Sequence, residues 1–220
     1  MTTSIAEAPA LTDDELMALA NRAGKVWPTA VPTVDRADRR SIEISVARGA
    51  RSLMARQLLA PEREWLAPSV ETLVKLIING RAMLGTYVAT DQLRYFPSFP
   101  ATAYYECGEG TWLSETITPL GIHYFVVEKM KDCRDAVWAV IERTRADGVA
   151  QAPDGRAEGM RAVRPEFLCV AGPSDHKPVR IVAVRRSEIL PVQVSPDKVP
   201  TLSPASLVDA SAAMEYLFSK

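Results

Sequence analysis

Histidine and cysteine are scarce in this chain of 220 residues, which has two histidines and three cysteines. The cysteines stand far apart, at positions 107, 133 and 169, and no CxxC pair occurs. A structural zinc site needs about four such ligands at close spacing, so we expect no metal site and no cofactor. An odd, sparse set of thiols is typical of a reducing compartment, which favours a cytoplasmic location.

Charge excess and long apolar runs are also missing. Lysine and arginine total 26 against 27 aspartates and glutamates, so bulk charge gives no reason to bind nucleic acid. No window reaches the roughly 18 to 20 apolar residues that span a membrane, and we expect no membrane insertion. The first 16 residues lack the basic and apolar regions of a signal peptide. Residues 1–10 are predicted to be a disordered tail.

The common catalytic patterns are absent as well, since the chain has no GxGxxG, GxxxxGK[ST], GxSxG or HExxH. His123 is a candidate general base because its unperturbed pKa is near neutrality, and Glu115 on a neighbouring strand is placed to orient it. The same two residues also fit a polar pair across a sheet without any catalytic role. Glu106, Glu109 and Glu115 are predicted to lie on an exposed hairpin rim, and His176 in a solvated loop. We therefore expect a protein that is not an enzyme.

Helix signals dominate the N-terminal third of the chain. Thr12 is a good N-cap, and Glu15, three residues later, completes a capping box. Gly24 is a typical stop for this first helix. Further helices are predicted at 38–61, at 69–79 and, beyond the strands, from Asp132 and from Ser203, which Pro204 follows at the favoured first position.

Strand signals occupy the middle and the C-terminal part. Strands are predicted at 82–90, 102–107, 111–118, 122–128, 179–186 and 189–195, and short turns between neighbours favour antiparallel pairing. Within 122–128, Tyr124 and Val126 alternate with His123 and Phe125. Residues 147–160 are predicted to be a mobile loop. The order of elements indicates an α+β fold, with a central, mostly antiparallel sheet flanked by helices, in a single domain over 11–220.

The stretch "RYFPSFPATAYYE", residues 94–106, concentrates aromatic side chains around two prolines. Tyr104 and Tyr105 are neighbours in a predicted strand and must point to opposite faces, so one core face cannot take every ring. The loop either presents its rings to a partner protein or folds them back into the core. Bulky residues near strand ends and connections are the candidate partner contacts: Leu93, Tyr95, Phe96, Phe99 and Trp112.

Several of these motifs, in this order, resemble the EspG family, cytosolic chaperones of actinobacterial type VII (ESX) secretion. Residues 13–31 are similar to that family's opening helix and its Trp-Pro step, here Trp27 and Pro28. Residues 39–59 resemble its R-G-x-x-x-L-x-A-R-x-L-L element, and 178–218 its closing hairpin and helix. The residues that carry that element here are Arg48, Gly49, Leu53, Ala55, Arg56, Leu58 and Leu59.

The resemblance implies a quasi-two-fold α+β architecture and a function in protein binding rather than catalysis. The implied partners are PE–PPE-type secretion substrates, whose apolar helical tip the chaperone covers in the cytosol until export. Two other functions fit the sequence. One is a small-molecule-binding protein or enzyme that uses the sheet face near His123, with Tyr104, Trp112 and Tyr124 lining a pocket. The other is a regulatory interaction module that forms a homodimer through the sheet.

Overall fold

A computed structural model describes residues 9–60, 65–79, 81–89, 102–108, 110–129, 133–148, 167–171, 180–194 and 200–218. Within those ranges the chain forms nine strands and five helices. In chain order they are β1 (Leu11–Thr12), α1 (Asp13–Arg22), α2 (Arg39–Ala55), α3 (Pro68–Asn79), β2 (Arg81–Ala89), β3 (Thr102–Glu106), β4 (Thr111–Ile117), β5 (Ile122–Lys129), α4 (Cys133–Asp147), β6 (Phe167–Ala171), β7 (Ile181–Arg185), β8 (Glu188–Gln193), β9 (Thr201–Leu202) and α5 (Ala210–Phe218).

The chain divides into two compact units. The first contains residues 1–81 and 105–128, and the second contains residues 82–104 and 129–220. None of the helices in the described ranges combines the length and the apolar character needed to cross a membrane.

The first unit joins helices α1–α3 to strands in the order β1-β5-β4, followed by the last two residues of β3. The turn between β3 and β4 is closed by a hydrogen bond from Cys107 N to Thr111 O at 2.9 Å, which confirms the predicted hairpin. α1 and α2 pack tightly against each other because Gly49 has no side chain. A Cβ atom at Gly49 would lie 1.8 Å from the Asp14 carbonyl oxygen, far inside van der Waals contact.

The second unit contains strands in the order β2-β6-β7-β8-β9, and each neighbouring pair is antiparallel. Helices α4 and α5 contact each other and β7. One cluster of buried side chains in this unit is entirely apolar apart from a thiol. Its members are Phe167, Cys169, Ala171, Ile181, Ala183 and Val192.

These elements confirm an α+β fold with a mostly antiparallel sheet. The capping box of α1 is confirmed, with both reciprocal hydrogen bonds between Thr12 and Glu15 present. Gly24 adopts φ +63° just after α1 ends, as a helix-stop glycine does. The predicted disordered tail at 1–10 falls mostly on residues 1–8, which lie outside the described ranges. The predicted loop at 147–160 overlaps them only at Asp147, the last residue of α4, and Gly148.

Some boundaries were predicted wrongly. The second helix ends at Ala55 rather than near Pro61, because Gln57 takes a positive φ of 58° that stops the helix. The last helix begins at Ala210 rather than after Ser203. The residues before it bond to the sheet instead, since Ser203 N and Leu207 N donate to backbone carbonyls of β8 at 2.8 Å. Strand β6 and the two-residue strands β1 and β9 were not predicted.

Candidate functional site

His123 is at the centre of the most concentrated polar chemistry in the described residues. Strand β5 places alternate side chains on opposite faces, with Tyr124 and Val126 48% and 55% exposed and His123 and Phe125 buried. This is the alternation that the sequence predicted. The imidazole ring is therefore on the inner face of the sheet, where water cannot reach it.

Two carboxylates bracket this ring. Nδ1 of His123 lies 2.7 Å from Glu115 Oε1 on the neighbouring strand β4, and Nε2 lies 2.7 Å from Asp13 Oδ1. All three side chains are at most 1% exposed. Each ring nitrogen faces a carboxylate oxygen at hydrogen-bond distance. To donate to both oxygens, the ring must carry a proton on each nitrogen, which is the charged form of histidine.

The short strand β1 explains how Asp13 reaches the ring. β1 is antiparallel to β5, with Leu11 opposite His123 and Thr12 opposite Ile122. Asp13 then begins α1, and its backbone N–H donates to Gly121 O at 2.8 Å. Gly121 itself must lack a side chain, since a Cβ there would lie 2.4 Å from Asp13 Oδ2. A strand of only two residues thus fixes where the first helix meets the sheet.

Every oxygen of the two carboxylates has a partner. Glu115 Oε1 also accepts from Trp27 Nε1 at 3.0 Å, and Glu115 Oε2 accepts from Thr29 Oγ1 at 2.9 Å and from the Tyr105 hydroxyl. Asp13 Oδ2 accepts from the backbone N–H and the hydroxyl of Thr33, at 2.6 and 2.7 Å. Burying charge is costly unless such bonds replace water, and here the replacement is complete.

The charges of this cluster act on one another. Burial alone disfavours a charged imidazole, but hydrogen bonds to Asp13 and Glu115, together with their negative charges, outweigh it and raise the pKa of His123 above its usual 6.5. Burial, then the nearby Glu115, raises the pKa of Tyr105 well above 10. The phenol therefore stays protonated and donates to Glu115. Arg36, at the surface, donates hydrogen bonds to the backbone carbonyls of Trp27 and Thr29, and these bonds hold its positive charge near the cluster.

This arrangement binds segments of chain together rather than opening toward a substrate. A general base needs a nitrogen within reach of the proton that it removes, whereas both nitrogens of His123 are engaged by carboxylates and the ring is 0% exposed. Within the described ranges, no group of three His, Cys, Asp or Glu side chains is suited to hold a metal ion. The cluster joins α1, the loop from Trp27 to Thr33, and strands β3, β4 and β5.

The sequence identified half of this cluster. The pairing of His123 with Glu115 across neighbouring strands is confirmed. The expectation that Glu115 lies on an exposed rim is wrong, because it is 0% exposed beneath the loop that contains Trp27. The sequence did not identify Asp13 as a member of the cluster, and its pairing with His123 joins residues 110 positions apart. No local pattern signals such a contact.

Of the five predicted partner-contact residues, the structure describes Trp112. Leu93, Tyr95, Phe96 and Phe99 lie outside the described residues. Trp112 is only 1% exposed, the burial of a core side chain rather than of a contact surface. Of the three residues predicted to line a pocket, Tyr104 is also buried, whereas Tyr124 is 48% exposed.

A second buried carboxylate explains several residues of the R-G-x-x-x-L-x-A-R pattern. Glu15 of α1 accepts two bonds from Arg56 Nη1, at 2.8 and 2.9 Å, and one from Ser52 Oγ at 2.7 Å. On α2, Leu53 is fully buried, and Gly49 allows the close approach of α2 to α1. These positions therefore hold α2 against α1. No protein-family model and no curated protein matches this chain.

Proposed function

We propose that this protein is a cytosolic binding chaperone for helical-hairpin substrates of type VII secretion, of the PE–PPE kind. The observation that supports this most directly is the outer face of β5, where Tyr124 and Val126 are 48% and 55% exposed. They share one face of the strand, two residues apart, and Leu120 in the turn just before β5 is 58% exposed. Contiguous exposed apolar groups of this kind are typical of binding surfaces.

The closed His123 cluster supports the same proposal from the other side of the strand. Its ionisable groups form hydrogen bonds that hold α1 and the Trp27 loop to the sheet. What β5 offers outward is apolar surface on a rigid support. A rigid sheet face needs little ordering when a partner binds, which lowers the cost of association.

The resemblance to the EspG family indicates which class of partner protein this surface would bind. The residues that carry the resemblance, Trp27, Gly49, Leu53 and Arg56, are all packing or hydrogen-bonding residues of the first unit. Because this chain has these four residues, we infer that its first unit has the same packing as in that family. Under this proposal Leu93, Tyr95, Phe96 and Phe99 add further apolar contacts.

The proposed mechanism is burial without catalysis. Covering a client's apolar tip gives roughly 25 cal/mol per Å² of apolar surface removed from water, which disfavours self-association of the client. The client must also be released for export. We therefore expect an interface at the smaller end of specific complexes, near 1,200 to 1,600 Å² in total.

Co-expression with a PE–PPE-type pair tests the proposal. The native chain should co-purify with the pair as a stable complex on size-exclusion chromatography. The double substitution Tyr124→Ser with Val126→Ser should weaken the complex at least tenfold while thermal stability changes little, because both side chains are already exposed. Val26→Ser is the matched control, since Val26 is 77% exposed in the same unit but lies outside β5.

The substitutions Phe96→Ser and Phe99→Ser examine the other proposed contacts. Loss of binding with an unchanged melting temperature supports their role as docking residues. A fall in melting temperature of many degrees assigns these rings to the core instead. If the native chain forms no complex with any such pair and runs as a homodimer, the regulatory-module function replaces this proposal.

A further inference from the structure

An open cleft of about 290 Å³ lies between helices α1 and α2 and the loop before α2. One face of α2 forms the floor of this cleft, where Ser45 follows Ser41 by about one helical turn and Arg48 follows Ser41 by about two. The residues around it are Asp14, Thr33, Val34, Asp38, Arg40, Ser41, Ile44, Ser45 and Arg48. The volume is close to the lower end of small-molecule pockets, about 300 to 1,000 Å³.

Ser45 gives the first indication of a ligand. Its side chain is only 3% exposed, and Oγ has no hydrogen-bond partner among the described residues. A serine inside a helix usually satisfies its hydroxyl on the carbonyl one turn earlier, and Ser45 does not. A buried polar group left unpaired costs about 1 to 3 kcal/mol, so an orphan hydroxyl beside the cleft points to a partner beyond the described residues.

The arginines of the cleft give the second indication. Arg39, just outside the cleft, pairs with Glu43 at 2.8 Å, and Arg56 pairs with Glu15 at 2.8 Å. Arg40 and Arg48 have no ion-pair or hydrogen-bond partner for their guanidinium groups within the described ranges. Two guanidinium groups that lack a partner in the described part of the chain, on one helix face and two turns apart, provide forked donors for an oxyanion.

The carboxylates of the cleft do not cancel this positive charge fully. Asp38 is the N-cap of α2 and accepts from Arg40 N at 2.9 Å, so its charge offsets the positive end of the helix. Asp14 is half-buried at the opposite wall. Ser41 accepts from Asp35 N at 3.2 Å, which leaves its hydroxyl proton to donate. Donors therefore predominate along α2.

We propose that this cleft is a binding site for a small metabolite bearing an oxyanion group, either carboxylate or phosphate. Arg40 and Arg48 hold the oxyanion, the Ser45 hydroxyl turns to donate to the ligand, and Ile44, 42% exposed, contacts its apolar part. The site lies wholly within the first unit. It is independent of the proposed client surface on β5, so either proposal stands if the other fails.

Isothermal titration of the full chain with inorganic phosphate and with citrate, at matched ionic strength, tests the site and separates the two chemistries. We expect saturable binding of at least one probe. Arg48→Ala should weaken it about 10- to 100-fold, the worth of a hydrogen bond to a charged group. Arg51→Ala is the matched control, since Arg51 is exposed on the same helix but does not line the cleft, and it should leave affinity unchanged.

Ser45→Ala separates a ligand role from a structural one. Removing an unpaired buried hydroxyl should leave the melting temperature of the free protein unchanged or slightly higher, while affinity for the probe falls several-fold. The proposal is overturned if neither probe binds, if Arg51→Ala weakens binding as much as Arg48→Ala, or if Ser45→Ala leaves affinity intact.

Discussion

The two units of this protein differ in the polar groups that they bury. Besides its buried apolar side chains, the first buries a cluster of ionisable ones, in which His123 lies between Asp13 and Glu115 with every carboxylate oxygen hydrogen-bonded. The buried cluster of the second is built from apolar side chains of β6, β7 and β8, and its most polar member is the thiol of Cys169. Burial raises the pKa of that thiol to about 12, so it remains neutral.

This contrast teaches how each unit is specified. Apolar side chains exchange places at modest cost because their attraction has no direction. A charged network tolerates only the partners whose atoms meet its hydrogen-bond directions, since an unpaired buried charge is very unfavourable. We therefore expect the first unit to be the more sensitive to single substitutions and to pH.

The largest expected effect comes from His123→Leu. It leaves Asp13 and Glu115 buried without their shared cation, and breaking a buried charge pair costs about 3 to 5 kcal/mol. Equilibrium urea denaturation followed by circular dichroism measures the loss in free energy of unfolding. A loss below about 1 kcal/mol would mean that the two carboxylates find other partners and that the first unit does not depend on its charged centre.

Gly49→Ala is expected to have the next largest effect. The added methyl group would lie 1.8 Å from the Asp14 carbonyl oxygen, so α1 and α2 must move apart, and such overpacking costs about 1 to 3 kcal/mol. The same denaturation experiment measures it. Ala47→Ser is the control, because Ala47 is exposed on the same helix and should change stability by less than about 0.5 kcal/mol. Equal effects at both positions would show that the helices do not pack through Gly49.

The smallest expected effect is the dependence of stability on pH. The pKa of His123 is raised on folding, so its contribution is complete below about pH 6.5 and is lost as pH rises through the folded value. The free energy of unfolding should therefore decrease above neutrality, by at most about 1.4 kcal/mol per pH unit for one proton. The raised pKa of Cys169 acts in the same direction but only above its ordinary value of 9.0.

Urea denaturation at intervals from about pH 6 to pH 8.5 measures this slope. His123→Gln is the control, because glutamine cannot titrate, and its slope in that range should be nearly flat although its stability is lower throughout. An equal slope in the native chain and in His123→Gln would assign the pH dependence to other groups.

Local patterns predicted much of the fold. Alternation along 122–128 placed His123 and Phe125 on one face and Tyr124 on the other, and the structure agrees. Thr12 and Glu15 form the predicted capping box, because its bonds join residues three apart. The late start of α5 escaped prediction, since Ser203 and Leu207 donate to β8 and local helix signals do not report such competition.

What the amino-acid sequence determined by itself is most of the helices and longer strands and the alternation of faces along β5, since both follow from near neighbours in the chain. What only the tertiary structure decided is which hydrogen-bond partners surround each buried charged group. Asp13 contacts His123 across 110 positions, and Trp27 contacts Glu115 across 88. Those contacts exist because the two-residue strand β1 sets the start of α1 beside β5, and because a buried carboxylate is stable only where donors from distant segments meet.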